Sequence, residues 1–168
     1  MSDTPPPEIA RTLTLRVAVT MRRERAPNAW EDWRHTPHDV ALDDGTLGHT
    51  PRLLRDDGRE RLTLHPGLSL LLHADEGEGY HLNLSSGAPV WFVMWRGAED
   101  DPSEAAPEFV TLSYNEAGRL LDAQERVDNV PLPAELVQML QAFTSAHYRP
   151  EPKQRRRPAS FQRPGDRR

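Results

Sequence analysis

Seven histidines and no cysteine define the metal chemistry open to this chain. His35, His38 and Asp39 stand close together, and imidazole with carboxylate is a ligand set that suits zinc. Pro37 lies between them and breaks the helix that would bring His35 and His38 onto one face. His73 and His81 could meet across a hairpin, but no third ligand at a fitting spacing joins them, so no functional metal is expected. The lack of cysteine removes disulfides, thiolate ligands and thiol nucleophiles together. Acidic pairs at Asp43-Asp44 and Asp56-Asp57, and the clusters Asp75 to Glu78 and Glu99 to Asp101, lack the spacing of a calcium loop and fall at turns. No glycine-rich phosphate loop is present, and the glycines of "DEGEGY" lie among carboxylates that repel phosphate. No serine nucleophile motif appears either. The sequence therefore assigns no catalytic residue and no cofactor, and points to binding rather than catalysis.

Two features could bind. In "VWFVMW", Trp91 and Trp95 share strand parity, so they mark where a helix, ligand or partner covers a sheet; with His73 and His81 they form the candidate ligand or partner surface. The second feature is the C-terminal segment from Arg149 to Arg168. It carries eight Lys and Arg against two Asp and Glu, a net +6 on a body of −11, within a chain total of −5. Lys153, Arg155, Arg156 and Arg157 can make charge-assisted contacts to an acidic protein surface, with Phe161 as an apolar anchor. The same residues could bind RNA, but an acidic body is unlike a nucleic-acid-binding surface.

These residues need a scaffold. The chain has 168 residues, about one domain, and only 36% are hydrophobic, with 16 prolines. No apolar run approaches the length of a membrane span and no secretory leader is recognisable, so a cytoplasmic protein is expected. Residues 1–10 are polar and proline-rich and read as disordered, as does the basic tail 149–168. Between them, 11–148 reads as a single β-rich domain. Leu13, Leu15, Val17, Val19 and Met21 alternate with polar or small residues, the period of a half-buried strand. "AWEDWRHTPHDVAL" predicts a second, irregular strand, since Pro37 cannot donate to a ladder and Trp30 and Trp33 differ in parity. A long connection follows from Asp43 to Arg61, with a short strand near Leu53. In "GLSLLLHADEGEGYHLNLSSG", two apolar runs flank an acidic, glycine-containing turn. They predict a hairpin with His73 opposite His81, Leu72 opposite Leu82 and Leu70 opposite Leu84. "VWFVMW" is apolar on both faces and should be central. A strand over Phe109 to Leu112 precedes Ser113 and Glu116, spaced as a capping box for a short helix through Leu121. Leu136, Leu140 and Phe143 recur at helical spacing in a longer helix that starts at Pro133 and ends near Tyr148. The expected fold is mainly β, of the α+β type: a single antiparallel sheet or partly open barrel of about six strands, with one short and one longer C-terminal helix.

"VAVTMRRE", the Trp30 to Val40 segment, "GYHLNLSSGAPVWFVMWR", "LSYNEAGRLLD", "VDNVPLP" and "HYRPEPKQRRR", in that order, resemble the bacterial domain-of-unknown-function family DUF3305 over about Leu13 to Arg157. The matching features include Tyr114 to Ala117, Pro131, Pro133 and the basic run Lys153 to Arg157. Members resemble neighbours of genes for formate dehydrogenase and related molybdenum enzymes. The resemblance implies a non-enzymatic accessory or maturation factor for a cytoplasmic molybdenum enzyme, acting through protein contacts with a subunit of that enzyme. A small-ligand or molybdenum-cofactor-binding module is the alternative, and an RNA-binding regulator acting through the tail is a third.

Overall fold

The structure is a computed structural model that describes residues 10–27 and 32–150. Seven strands form two antiparallel sheets, accompanied by three α-helices. In the four-stranded sheet, β1 (Thr12–Arg25) lies between β2 (Trp33–Leu42) and β4 (Glu60–His73), with β3 (Arg52–Asp56) on the outer edge of β4. In the three-stranded sheet, β5 (Val90–Gly97) lies between β6 (Ala105–Thr111) and β7 (Arg126–Pro131). The sheets face each other, with β4 beside β6 and β2 beside β7, but among the described residues no strand ladder joins one sheet to the other. The result is a β-rich α+β fold shaped like a barrel left unclosed along two seams.

The alternation of β1 does what its period requires. Val17, Val19 and Met21 point inward and are buried with Val40 of β2, Leu70 and Leu72 of β4, and Trp91 and Val93 of β5. Pro37 is accommodated at a bulge: it faces Met21, and the register shifts between Thr20 and Met21, so the missing donor costs no regular rung. β5 is central in its sheet, as its two apolar faces require. Ser113 caps α2 (Tyr114–Asp122), its hydroxyl accepting the Glu116 N–H at 3.1 Å. In α3 (Ala134–His147), Leu136, Leu140 and Phe143 form the buried stripe, and Tyr148 is the C-terminal cap.

The expected hairpin is not formed. After His73 the chain makes one 3-10 turn, Ala74–Glu76, and enters α1 (Gly77–Ser85). His81 therefore does not oppose His73, and the pairs Leu70–Leu84 and Leu72–Leu82 do not exist. β4 instead pairs with β1, setting Leu70 against Leu15 and Leu72 against Leu13. Tertiary anchors hold α1 in place. The Tyr80 hydroxyl accepts the His73 N–H at 2.9 Å. The buried Asn83 amide donates to the carbonyls of Val90 and Leu112 at 2.9 and 3.0 Å and accepts the Val90 N–H at 3.1 Å, stitching the helix to β5 and the end of β6. β7 was also absent from the sequence reading, because "RVDNVP" carries too little apolar alternation to announce a strand. Among the described residues, no helix is long and apolar enough to cross a membrane.

Candidate functional site

The inner face of the unclosed barrel changes character along its length. At one end it is lined by Val17, Val19, Leu70, Leu72 and Trp91 and packed by α1 and α3. Because side chains two apart on a strand share a face, the same face of β1 continues from Met21 to Arg23 and Arg25. Register sets His35 of β2 and Arg61 of β4 on either side of Arg23, and Trp33 beside Arg25. On the opposite sheet Trp95 pairs with Arg126. The far end of the barrel is thus walled by arginine, tryptophan and histidine from five strands.

Some of these side chains line a cleft of about 770 Å³ at the β2–β7 seam, whose wall includes Asp32, Trp33, Arg34, His35, Trp95 and Arg126; Arg23, Arg25 and Arg61 are not part of that wall. Three guanidinium groups lie over indoles: Arg23 and Arg25 at 4.1 and 4.5 Å from the Trp33 ring centre, and Arg126 at 4.9 Å from that of Trp95. Such contact restrains the guanidinium, and Arg23 also donates to the Ser103 carbonyl at 2.9 Å. Trp95 is oriented in turn by Asp128, whose carboxylate accepts its indole N–H at 2.6 Å. The His35 ring lies 6.0 Å from that of Trp95, and its Nε2 is 3.0 Å from the Pro102 carbonyl. A carbonyl only accepts, so that nitrogen carries the proton.

A small polar chamber of about 20 Å³, which shares His35 with the cleft, is lined by Arg23, Arg61, Thr63, His65 and Glu104, among others. Arg61 donates to Glu104 at 2.6 Å, Arg23 lies 3.7 Å from the same carboxylate, and a terminal nitrogen of Arg23 donates to the Ser103 carbonyl at 2.9 Å. The Nε atoms of Arg23 and Arg61 and the Nε2 of His65 are buried without a hydrogen-bond partner among the described residues. Burial pushes the His65 imidazole below its ordinary range, and the Glu104 charge opposes this only in part.

Of the residues singled out by sequence, Trp95 lies in the cleft wall. Trp91 shares its face but sits deep in the core with no exposed surface. His73 is at the other end of β4, and His81 is on α1 with its ring 5.5 Å from that of Tyr148; neither approaches the cleft. Lys153, Arg155, Arg156, Arg157 and Phe161 lie outside the described residues. Phe92 and Met94 face away from the barrel interior, where Tyr114 of α2 packs edge-on against Phe92 at 6.3 Å. His35 borders the cleft while His38 is exposed, and among the described residues no three His, Asp or Glu side chains are grouped to hold a metal ion. Sequence reasoning missed Arg23, Arg25, Trp33, Arg61, His65 and Arg126. The signal for the first two was the period of β1, which continues two residues on each side of Arg23.

A family model described as "Protein of unknown function (DUF3305)" matches residues 16–157. Comparison with curated proteins and with solved structures returns no match.

Proposed function

The chain belongs to the DUF3305 family, and we propose that it is a non-enzymatic accessory protein that holds a small anionic ligand in the cleft at the end of its barrel. One observation carries this reading: Arg34 and Arg126 line a cleft of about 770 Å³ together with Trp33 and Trp95, with Arg126 over the Trp95 ring and Asp32 the carboxylate in the wall, and that volume is within the range of small-molecule sites. A guanidinium restrained against an indole, as Arg126 is over Trp95, loses less side-chain entropy when it binds an oxyanion. The lining is suited to binding rather than reaction. Guanidinium and indole are neither general bases nor nucleophiles near neutral pH.

The sequence resemblance supplies the setting: a cytoplasmic accessory or maturation factor for a formate dehydrogenase-like molybdenum enzyme. In that setting the ligand belongs to the enzyme's cofactor chemistry, and delivery or retention also requires contact with an enzyme subunit. No observation on the described residues favours the RNA-binding alternative.

The test is a tryptophan-fluorescence titration of the full chain with adenosine monophosphate and with citrate, each at constant ionic strength, against adenosine and glycerol as neutral counterparts. Saturable quenching by at least one anion, weakened about tenfold or more in Arg126→Met, is expected; that loss corresponds to one charge-assisted contact. Quenching by neither anion, or equal quenching in Arg126→Met, would refute the reading.

A further inference from the structure

The outer face of the three-stranded sheet carries a groove that the cleft does not use. Side chains alternate across a strand, so β5 presents Trp95 to the cleft and Met94 to the opposite face, where register sets Met94 beside Phe109 of β6. The register of β6 shifts here: Met94 pairs with Phe109 and Trp95 with Pro107, which makes Glu108 the extra residue of a bulge. The bulge lets neighbours in sequence, Glu108 and Phe109, line the same groove. Its volume is about 440 Å³, and Met94, Phe109 and Leu120 of α2 are its apolar residues. Phe109 is 36% exposed, and on α2 the groove residues are flanked in sequence by Tyr114 and Leu121, each 55% exposed. Exposed apolar surface of this extent, continuing along α2 beyond the groove, suits a macromolecular partner better than an enclosed small molecule.

The charges around the groove do not balance. Arg96 is held by Glu125, which accepts from its Nε at 3.1 Å and from a terminal nitrogen, and Arg119 is held by Glu76 at 2.6 Å. Neither of those carboxylates lies in the groove wall. Of the two that do, Glu108 makes no side-chain hydrogen bond or ion pair among the described residues, and Glu116 has only Arg119, at 3.9 Å. With each arginine matched by a carboxylate of its own, Glu108 and Glu116 leave negative charge uncompensated beside an apolar floor. We propose that this groove docks a segment of a protein partner in which a large apolar side chain is flanked by lysine or arginine. The apolar side chain displaces water from Met94, Phe109 and Leu120, while the cations reach Glu108 on the β6 side and Glu116 on the α2 side. An acidic segment is refused by the two carboxylates, and a purely polar one gains nothing from the floor. The proposal does not depend on what the cleft holds.

The experiment follows the methionine methyl resonances of the full chain by NMR, with Met94 in the groove as the reporter and Met21, buried in the core, as the internal control. Met94→Leu assigns the signal. The probe is the peptide acetyl-Arg-Leu-Phe-Lys-amide, titrated at constant ionic strength. Its counterparts are acetyl-Glu-Leu-Phe-Glu-amide, which keeps the apolar pair, and acetyl-Arg-Gly-Gly-Lys-amide, which keeps the charges. The Met94 signal is expected to move along a saturable curve with the first peptide while that of Met21 stays in place, and each counterpart should bind at least tenfold more weakly. The double variant Glu108→Gln, Glu116→Gln should weaken the first peptide at least tenfold, the loss expected of a charge-assisted contact. Should the double variant fail to fold, each single one decides, with an expected loss of at least threefold. A Met94 signal unmoved by the first peptide, equal binding of the acidic counterpart, or binding intact in the folded glutamine variants would overturn the proposal. So would a Met94 signal that shifts on dilution of the chain alone, which would assign the groove to a second copy. A Met94 signal displaced by Phe161→Ala without peptide would overturn it too, in favour of the chain's own C-terminal segment.

Discussion

Gly79→Ala separates packing from propensity with a difference in sign. Gly79 lies inside α1 and is not among the positive-φ glycines, so in an isolated helix alanine would stabilise it by about 1 kcal/mol. Here a Cβ at that position would overlap the Ser113 hydroxyl, and would stand 3.0 Å from the Ser113 Cβ and 3.2 Å from the backbone nitrogen of Asn115. Ser113 has little room to retreat: it is fully buried, caps α2, and donates its hydroxyl proton to Glu76 at 2.7 Å. Displacing it costs the cap, about 1 kcal/mol, and overpacking adds about 1–3 kcal/mol. Set against the propensity gain, Gly79→Ala should destabilise by about 1–3 kcal/mol. Urea denaturation of the wild type and the variant measures this as a lowered midpoint at unchanged slope. In the Ser113→Ala background the penalty should shrink, because the hydroxyl that Cβ would meet is gone. Gly118 of α2 is the internal contrast: a Cβ there meets nothing within 4 Å, and Gly118→Ala should stabilise by about 1 kcal/mol. If Gly79→Ala stabilises the protein as Gly118→Ala does, the close approach of α1 to the α2 cap is wrong.

Leu70→Ala removes a fully buried side chain from the barrel interior and should cost about 2–5 kcal/mol, read from the shift of the thermal or urea transition. Tyr80→Phe leaves the His73 N–H without its acceptor and should cost about 1–3 kcal/mol by the same measurement; burial already pushes the Tyr80 hydroxyl up to about 12, so it stays protonated across the accessible pH range. His65, with its folded pKa lowered beneath 6.5 by burial, binds fewer protons than the unfolded chain as the solution is acidified. Its contribution to stability is therefore complete above pH 6.5 and declines as pH falls through that value toward the folded pKa; His65→Gln should flatten that part of the urea-midpoint profile.

What the sequence reveals depends on how local the determining contacts are. The β1 period, the Ser113 cap and the α3 stripe are written in neighbours two to four residues apart, and each is found where that spacing puts it. The segment after His73 misleads because "DEGEG" has turn composition and the leucines at 82 and 84 alternate. The helix there is secured by Tyr80 and Asn83, whose partners in β4, in β5 and just after β6 cannot be inferred from nearby residues. The cleft end of the barrel was illegible for the same reason. Arg23, His35 and Arg61 are far apart in sequence and become one row only through the registers of β1 with β2 and β4. Trp95 was recognisable from its strand, but its neighbours Arg126 and Asp128 come from β7, the strand with the weakest pattern.

The central claim is that the arginine–tryptophan cleft, and not the core or the far end of the barrel, is where this protein binds a small anion. The most direct measurement follows the indole N–H resonances of the full chain by NMR during titration with adenosine monophosphate, after assignment by single Trp→Phe variants. The Trp33 and Trp95 signals are expected to move together along one saturable curve while that of Trp91, sealed in the core, stays in place. Movement of the Trp91 signal alone, or no movement of Trp33 and Trp95 with either adenosine monophosphate or citrate, would contradict the claim.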